Sequence, residues 1–205
     1  MAVSEQLRSH LRILVRALSL AVLVTSALMW LLLSEYAPRG AGAALPKGGD
    51  FVLQSAQGPL DSHSLRGQVV LLYFGYTFCP DVCPTSLTDM GKAIQSLGAA
   101  EQARVRGVFV SVDPARDTVQ RLAEYAPYFH PRIVGVTGDE ASLQALTSRY
   151  GASFRRVPNE AGEAYSVEHP SSVYVIAPNG ELVERIAHGS PLEVWQHAIR
   201  DALAR

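Results

Sequence analysis

The nine residues from Val69 to Thr77, VVLLYFGYT, carry no charge and are dense in β-branched and aromatic side chains. Such a run is too short to span a bilayer and too continuous to alternate between water and core, so it predicts a strand buried on both faces. A strand of that kind needs a covering layer on each side, which confines the chain to layered α/β architectures. The two cysteines of the chain, Cys79 and Cys83, follow it at once.

The segments around this strand set the topology. A helical pattern runs from about Val82 to Leu97 with apolar Leu87, Met90, Ala93, Ile94 and Leu97. Arg104 to Val112 reads as a second buried strand, Val119 to Phe129 as a helix, Arg132 to Val136 as a third strand and Glu140 to Tyr150 as a helix. Alternating strands and helices imply a parallel core. The end differs: strand-like Ser172 to Ala177 and Glu181 to Ala187 flank Pro178-Asn179-Gly180, the signature of a hairpin. An amphipathic helix, Leu192 to Leu203, closes the chain, and a turn cluster at Ala56 to Pro59 between Phe51–Leu53 and Leu60 predicts a short hairpin ahead of the core. Parallel core, terminal hairpin and last helix together are the thioredoxin order. The predicted fold is therefore α/β and thioredoxin-like, with an N-terminal hairpin extension and a single N-terminal transmembrane helix.

The transmembrane expectation comes from Ala17 to Leu33, an uncharged stretch rich in Leu, Val and Ala. At helical rise it reaches roughly 25 Å, just short of the ~30 Å hydrocarbon core. Arg8, Arg12 and Arg16 precede it, and only Arg39 and Lys47 follow it closely, so the positive-inside rule places the N-terminus in the cytoplasm. The alternative is a signal peptide cleaved near Ala41-Gly42-Ala43. The expected organisation is a cytoplasmic segment 1–16, an anchor 17–33, a flexible tether 34–50 and a thioredoxin-like domain 51–205. The location that follows is the inner (cytoplasmic) membrane, single-pass, with the C-terminal domain in the periplasm or the equivalent side in an organelle. A formal net charge of −1 without a long basic run argues against nucleic acid as a partner.

Two cysteines four positions apart at a strand-to-helix junction point to chemistry more than to packing, since exported proteins seldom leave thiols unused. The helix N-terminus and its free amides stabilise thiolate, the species that binds metal and attacks disulfides. Pro84 lies in the first turn, where a missing N–H costs nothing. The spacing allows both a disulfide and convergence on one ion. Thiolates favour Cu(I), an imidazole as third ligand would also accept Cu(II), and no second Cys or His pair is spaced to complete a four-ligand zinc site.

Six histidines compete for the third position. His10 lies before the apolar run, His63 and His197 in polar segments, His130 and His188 near element ends. His169 precedes Pro170 and the strand Ser172 to Ala177, and in the thioredoxin order the loop entering that strand packs against the cysteine-bearing helix N-terminus. The predicted metal ligands are Cys79, Cys83 and His169. Glu168 reads as a solvated charge.

Three stretches then resemble a known family. Tyr73 to Thr85, YFGYTFCPDVCPT, Val110 to Thr118, VSVDPARDT, and Glu168 to Gly180, EHPSSVYVIAPNG, are similar in order to the motifs of the Sco/SenC copper proteins. Many members have His at Phe78, Asp at Glu168 and Ser or Thr at Pro170. The resemblance implies a thioredoxin fold, one copper held by Cys79, Cys83 and His169, and a part in building the dinuclear copper A centre of cytochrome c oxidase. Asp113 and Asp117 in the second motif either support the site electrostatically or only shape a turn. The expected function is a membrane-anchored copper metallochaperone handling Cu(I) and Cu(II), its partners the copper A subunit, the membrane and a thioredoxin-like reductant. The alternative is a thiol:disulfide oxidoreductase with Cys79 and Cys83 as its redox pair. Peroxidase chemistry is discounted because Pro80 stands where a threonine is expected.

Overall fold

A computed structural model describes residues 10, 14, 16, 18–30, 45–158 and 165–205. The chain divides into two compact units, Met1–Ala44 and Leu45–Arg205. In the first, residues 18–30 are helical and their side chains are exposed. Among the described residues no helix is long and apolar enough to cross a membrane, which overturns the predicted transmembrane helix. The helical run 18–30 is thirteen residues. Those thirteen residues rise about 20 Å as a helix, less than the ~30 Å hydrocarbon core. Residues 17 and 31–33 of the expected span, the tether residues 34–44 with the Ala41–Ala43 site, and most of 1–16 lie outside the described residues. The membrane as a partner, and the single-pass placement with a periplasmic domain, rested on that helix and are withdrawn with it.

The second unit is a thioredoxin-like α/β domain with a mixed sheet. A hairpin of β1 (Val52–Ser55) and β2 (Gly58–Asp61) and a 3-10 turn (Ser62–Leu65) precede the central strand β3 (Val69–Gly75). Then follow α1 (Val82–Gln95), a short α2 (Ala99–Ala103), β4 (Val105–Ser111), α3 (Val119–Phe129), β5 (Ile133–Val136) and α4 (Glu140–Arg149). A second hairpin, β6 (Arg155–Pro158) and β7 (Tyr165–Glu168), leads to β8 (Val173–Ile176), β9 (Leu182–Ile186) and α5 (Leu192–Leu203). The five-stranded sheet has the order β5-β4-β3-β8-β9, with β3, β4 and β5 parallel and β8 and β9 antiparallel to their neighbours.

All seven residues of β3 are buried, as its lack of any polar alternation demands of a central strand. Helix α1 packs its buried stripe of Leu87, Met90, Ala93 and Ile94 into the same core. The β8–β9 turn uses Gly180 at φ +91°, a conformation that glycine adopts without the Cβ clash other residues suffer. The hairpin β6–β7 had no counterpart in the sequence reading. Its strands are mostly exposed, with Val167 its one buried residue, so it lacks the apolar run by which the other strands announce themselves. Tyr165-Ser166-Val167-Glu168 does alternate, and that was the available signal.

Candidate metal centre

The register of the sheet sets up the site. Tyr73 of β3 pairs with Val173 of β8 in antiparallel orientation, so the residues after β3 and those before β8 emerge at the same end of the sheet. Cys79 lies just beyond β3, and His169 in the loop entering β8. The chain leaves β3 through a tight turn in which the Cys79 N–H donates to the Tyr76 carbonyl at 3.3 Å. Asp81 then caps α1 by position without a side-chain bond, placing Cys83 and Pro84 in its first turn.

One glycine at the end of β3 makes this junction possible. A Cβ on Gly75 would stand 2.6 Å from the Cys83 Sγ and 2.9 Å from the Phe109 ring, so the sulfur occupies the space that any other residue would fill. The Cys83 side chain is 0% exposed, while Cys79 is half-buried, and both thiols are free.

His169 Nε2 lies 3.3 Å from Cys83 Sγ, and its Nδ1 is 3.0 Å from the Pro170 carbonyl. A carbonyl only accepts, so Nδ1 carries the hydrogen and Nε2 turns its lone pair toward the sulfurs. The rings of Tyr76 and Tyr73 meet the imidazole edge-on, with centroids 5.7 and 6.1 Å away. The ligand atoms of Cys79, Cys83 and His169 lie within 4.8 Å of one another, the group among the described residues able to hold a metal ion.

The two thiols share one proton. The hydrogen bond from Cys83 holds the Cys79 thiol far below its ordinary range, at about 3, helped by His169 and the backbone N–H groups of Asp81 and Cys83 against the opposing effect of burial. The same bond, followed by burial, pushes Cys83 up. Of the coupled pair, the more accessible sulfur is thus the one shifted toward thiolate and the buried one the one shifted toward thiol. Burial also drives the Tyr73 hydroxyl up, beside Cys83 and Ser86.

The other histidines go elsewhere. His63 sits between Asp50 at 3.2 Å and Asp61 at 2.9 Å, His197 pairs with Asp201, His130 Nδ1 accepts from the Arg132 N–H, and His10 is exposed on the N-terminal helical stretch. His188, which looked featureless in the sequence, bonds through Nδ1 to Ser86 Oγ at 2.9 Å, one turn beyond Cys83 on α1. Glu168 forms an exposed two-pronged ion pair with Arg155.

The aspartates of the second motif do more than shape a turn. Asp117, fully buried, accepts the Thr77 N–H at 2.8 Å, the Thr77 hydroxyl at 2.6 Å and the Ser111 hydroxyl at 2.5 Å, and so ties down the loop that carries Cys79. Asp113, also fully buried, accepts from Arg116 Nε and from the Tyr165 hydroxyl at 2.7 Å. Thr77 and Tyr165 carry no sequence signal because their partners Asp117 and Asp113 lie 40 and 52 positions away, while Arg116 stands inside the second motif but reaches Tyr165 49 positions on.

The donor set suits copper. Two sulfurs and one imidazole nitrogen match a soft ion such as Cu(I), and the imidazole extends the site to Cu(II). A three-ligand set falls short of the four that structural zinc requires.

Comparison with known proteins agrees with this geometry. The SCO1/SenC family pattern matches residues 40–204. A "SCO2-like protein" of Rickettsia felis is 36% identical over 152 residues, 73% of this chain and 74% of that protein. Among solved structures, copper-bound ScoI of Arabidopsis thaliana is 30% identical with TM-score 0.70, covering 77% of this chain and 98% of that one. Copper-bound ScoI of Bradyrhizobium japonicum is 30% identical with TM-score 0.68, covering 76% and 99%. By the extent of the family match and the identity shared along most of both chains, this chain belongs to the SCO1/SenC family.

Proposed function

We propose that this chain is a copper metallochaperone that takes up one copper ion through Cys79 Sγ, Cys83 Sγ and His169 Nε2. It then passes the ion by ligand exchange to a target site, that of the copper A centre of cytochrome c oxidase. The convergence of two sulfurs and one imidazole nitrogen within 4.8 Å carries this reading. Copper-bound relatives of the same fold support it.

The chain's own contribution to such a transfer is graded. Cys79, the more exposed and already anionic sulfur, is the natural point of entry and exit for the ion. Cys83, buried and held by Gly75 and the first turn of α1, is the fixed ligand; its proton must leave when the metal binds. His169, already in the Nδ1–H tautomer, needs no rearrangement to donate through Nε2.

The low proton affinity of Cys79 also favours a second reading, thiol:disulfide exchange. There the Cys79 thiolate attacks a target disulfide, Cys83 resolves the mixed disulfide, and the target leaves as a dithiol while this pair is oxidised.

One experiment separates the two. The reduced full chain is titrated with Cu(I) against a chromophoric chelator, and the loaded chain is mixed with an apo copper A domain. Uptake of one equivalent and its transfer support the chaperone. Copper binding undiminished after both thiols have been oxidised would remove the site. Reduction of the target's disulfide by the copper-free chain, without copper transfer, favours the oxidoreductase.

A further inference from the structure

The loop that carries His169 is held by the main sheet at one end only. It runs from β7, which pairs only with β6, to β8, which pairs with β3. The β3–β8 ladder fixes the far side of that loop, and its β7 side needs another support.

Arg116 lies between that β7 side and the loop before Cys79. On one side its guanidinium faces the loop before Cys79, with the Phe78 ring at 4.9 Å and the Tyr76 ring at 5.5 Å. On the other side it lies over the Tyr165 ring at 3.7 Å, and its Nη1 donates to the Tyr165 carbonyl at 3.0 Å. Its Nε donates to buried Asp113, which also accepts the Tyr165 hydroxyl, closing a three-membered polar clasp. Among the described residues its buried Nη2 has no hydrogen-bond partner. An arginine leaves an N–H unpartnered in this way when aromatic faces take part of the charge, and three rings do so here. Tyr165 stands four positions before His169, and Phe78 one before Cys79.

We propose that Arg116 is a positioning residue that sets the His169 strand against the Cys79 loop, so that the imidazole is pre-aligned with the two sulfurs. This rests on Cys79, Cys83 and His169 being the ligands. Planarity is essential to the role: a fork that bonds Asp113 and the Tyr165 carbonyl while stacking on rings cannot be replaced by an ammonium. Arg116 never touches the metal. Its loss should therefore spare the thiolates, which the core holds, and misplace the imidazole.

The test uses the full chain as wild type, Arg116→Lys, Tyr165→Phe, His169→Ala and the Arg116→Lys/His169→Ala double variant. For each, Cu(I) affinity, Cu(II) affinity, the sulfur-to-Cu(II) charge-transfer absorption and the EPR hyperfine splitting are measured, with the thermal midpoint as a fold control. Arg116→Lys should lose roughly 10–100-fold in Cu(II) affinity, the range for disturbing a ligand's outer partner. Its Cu(II) spectra should shift toward those of His169→Ala, and its Cu(I) affinity should change little. Tyr165→Phe, which removes one bond and keeps the ring, should shift the same spectra by less and covers the case in which Arg116→Lys fails to fold. The double variant should be no worse than His169→Ala alone, because the two changes act through one group.

A folded Arg116→Lys or Tyr165→Phe with wild-type Cu(II) affinity and spectra overturns the proposal while leaving the ligand set intact. Wild-type Cu(II) behaviour in His169→Ala overturns the ligand set itself, and the proposal with it.

Discussion

The segment that carries the cysteines and the segment that carries the histidine are built in opposite ways. From Val69 to Gly75 every residue is buried, and the helix that follows buries seven more. From Arg155 to Glu168 the described strands are mostly exposed, with Val167 alone in the core and polar contacts of Asp113, Arg116 and Tyr165 beside it. A core-held pair of sulfurs and a clasp-held imidazole are differently rigid, since apolar packing is dense and cooperative while a surface ribbon opens at lower cost. On the proposed ligand set, this contrast gives two core-held sulfurs for Cu(I) and an adjustable third ligand.

The largest expected effect breaks the firm half. Cys83→Ala removes the buried sulfur and should abolish tight Cu(I) binding, whereas His63→Ala or His197→Ala should leave it unchanged in the same chelator competition. His169→Ala breaks the adjustable half. It should weaken Cu(II) by at least about 100-fold, beyond the roughly 10–100-fold cost of disturbing a ligand's outer partner, while Cu(I) is largely retained.

The distribution of charge between the sulfurs sharpens the contrast. Cys79 is held at about 3, so its thiolate persists as pH falls and is lost only near that value. Alkylation of the metal-free chain should therefore proceed at Cys79 at a nearly constant rate from pH 8 down to pH 5. An ordinary thiol near ~8.5 would slow about tenfold per unit, and such a slope at Cys79 would show that the pair does not share its proton.

Gly75→Ala tests how firmly the core sets Cys83, because the new methyl collides with its sulfur. Overpacking of this kind costs about 1–3 kcal/mol, and a lowered urea midpoint should accompany weaker Cu(I) binding. The smallest effect belongs to the ribbon's surface. Glu168→Gln breaks an exposed ion pair with Arg155, at 2.6 and 2.9 Å, and should change the unfolding free energy by less than about 1 kcal/mol without altering copper binding.

The legibility of the molecule follows the same division. The sheet strands and main helices were readable because burial on both faces, or on one helical face, writes an uninterrupted or 3.6-residue apolar pattern into the chain. The cysteine junction was readable for the same reason. The hairpin β6–β7 was not, since Arg155, Arg156 and Tyr165 are held by charge and hydrogen bonding and only the four residues of β7 alternate, too few to stand out. The N-terminal stretch shows the opposite failure: an apolar composition suggested a membrane span, and among the described residues no helix has the length for one.

By its composition and spacing the sequence determined the layered α/β class and the place of Cys79 and Cys83 at a strand-to-helix junction, and by resemblance it carried the motifs of the family. Pattern suffices there because each depends on neighbours in the chain. Only the tertiary structure decided that His169 Nε2 meets Cys83 Sγ at 3.3 Å, that Asp117 ties down Thr77, and that Arg116 bridges the two ligand-bearing segments. Those contacts join residues far apart in the chain, 40 positions for Thr77 and Asp117 and 86 for Cys83 and His169. Their strength depends on burial, distance and orientation, quantities that exist only once the chain has closed on itself.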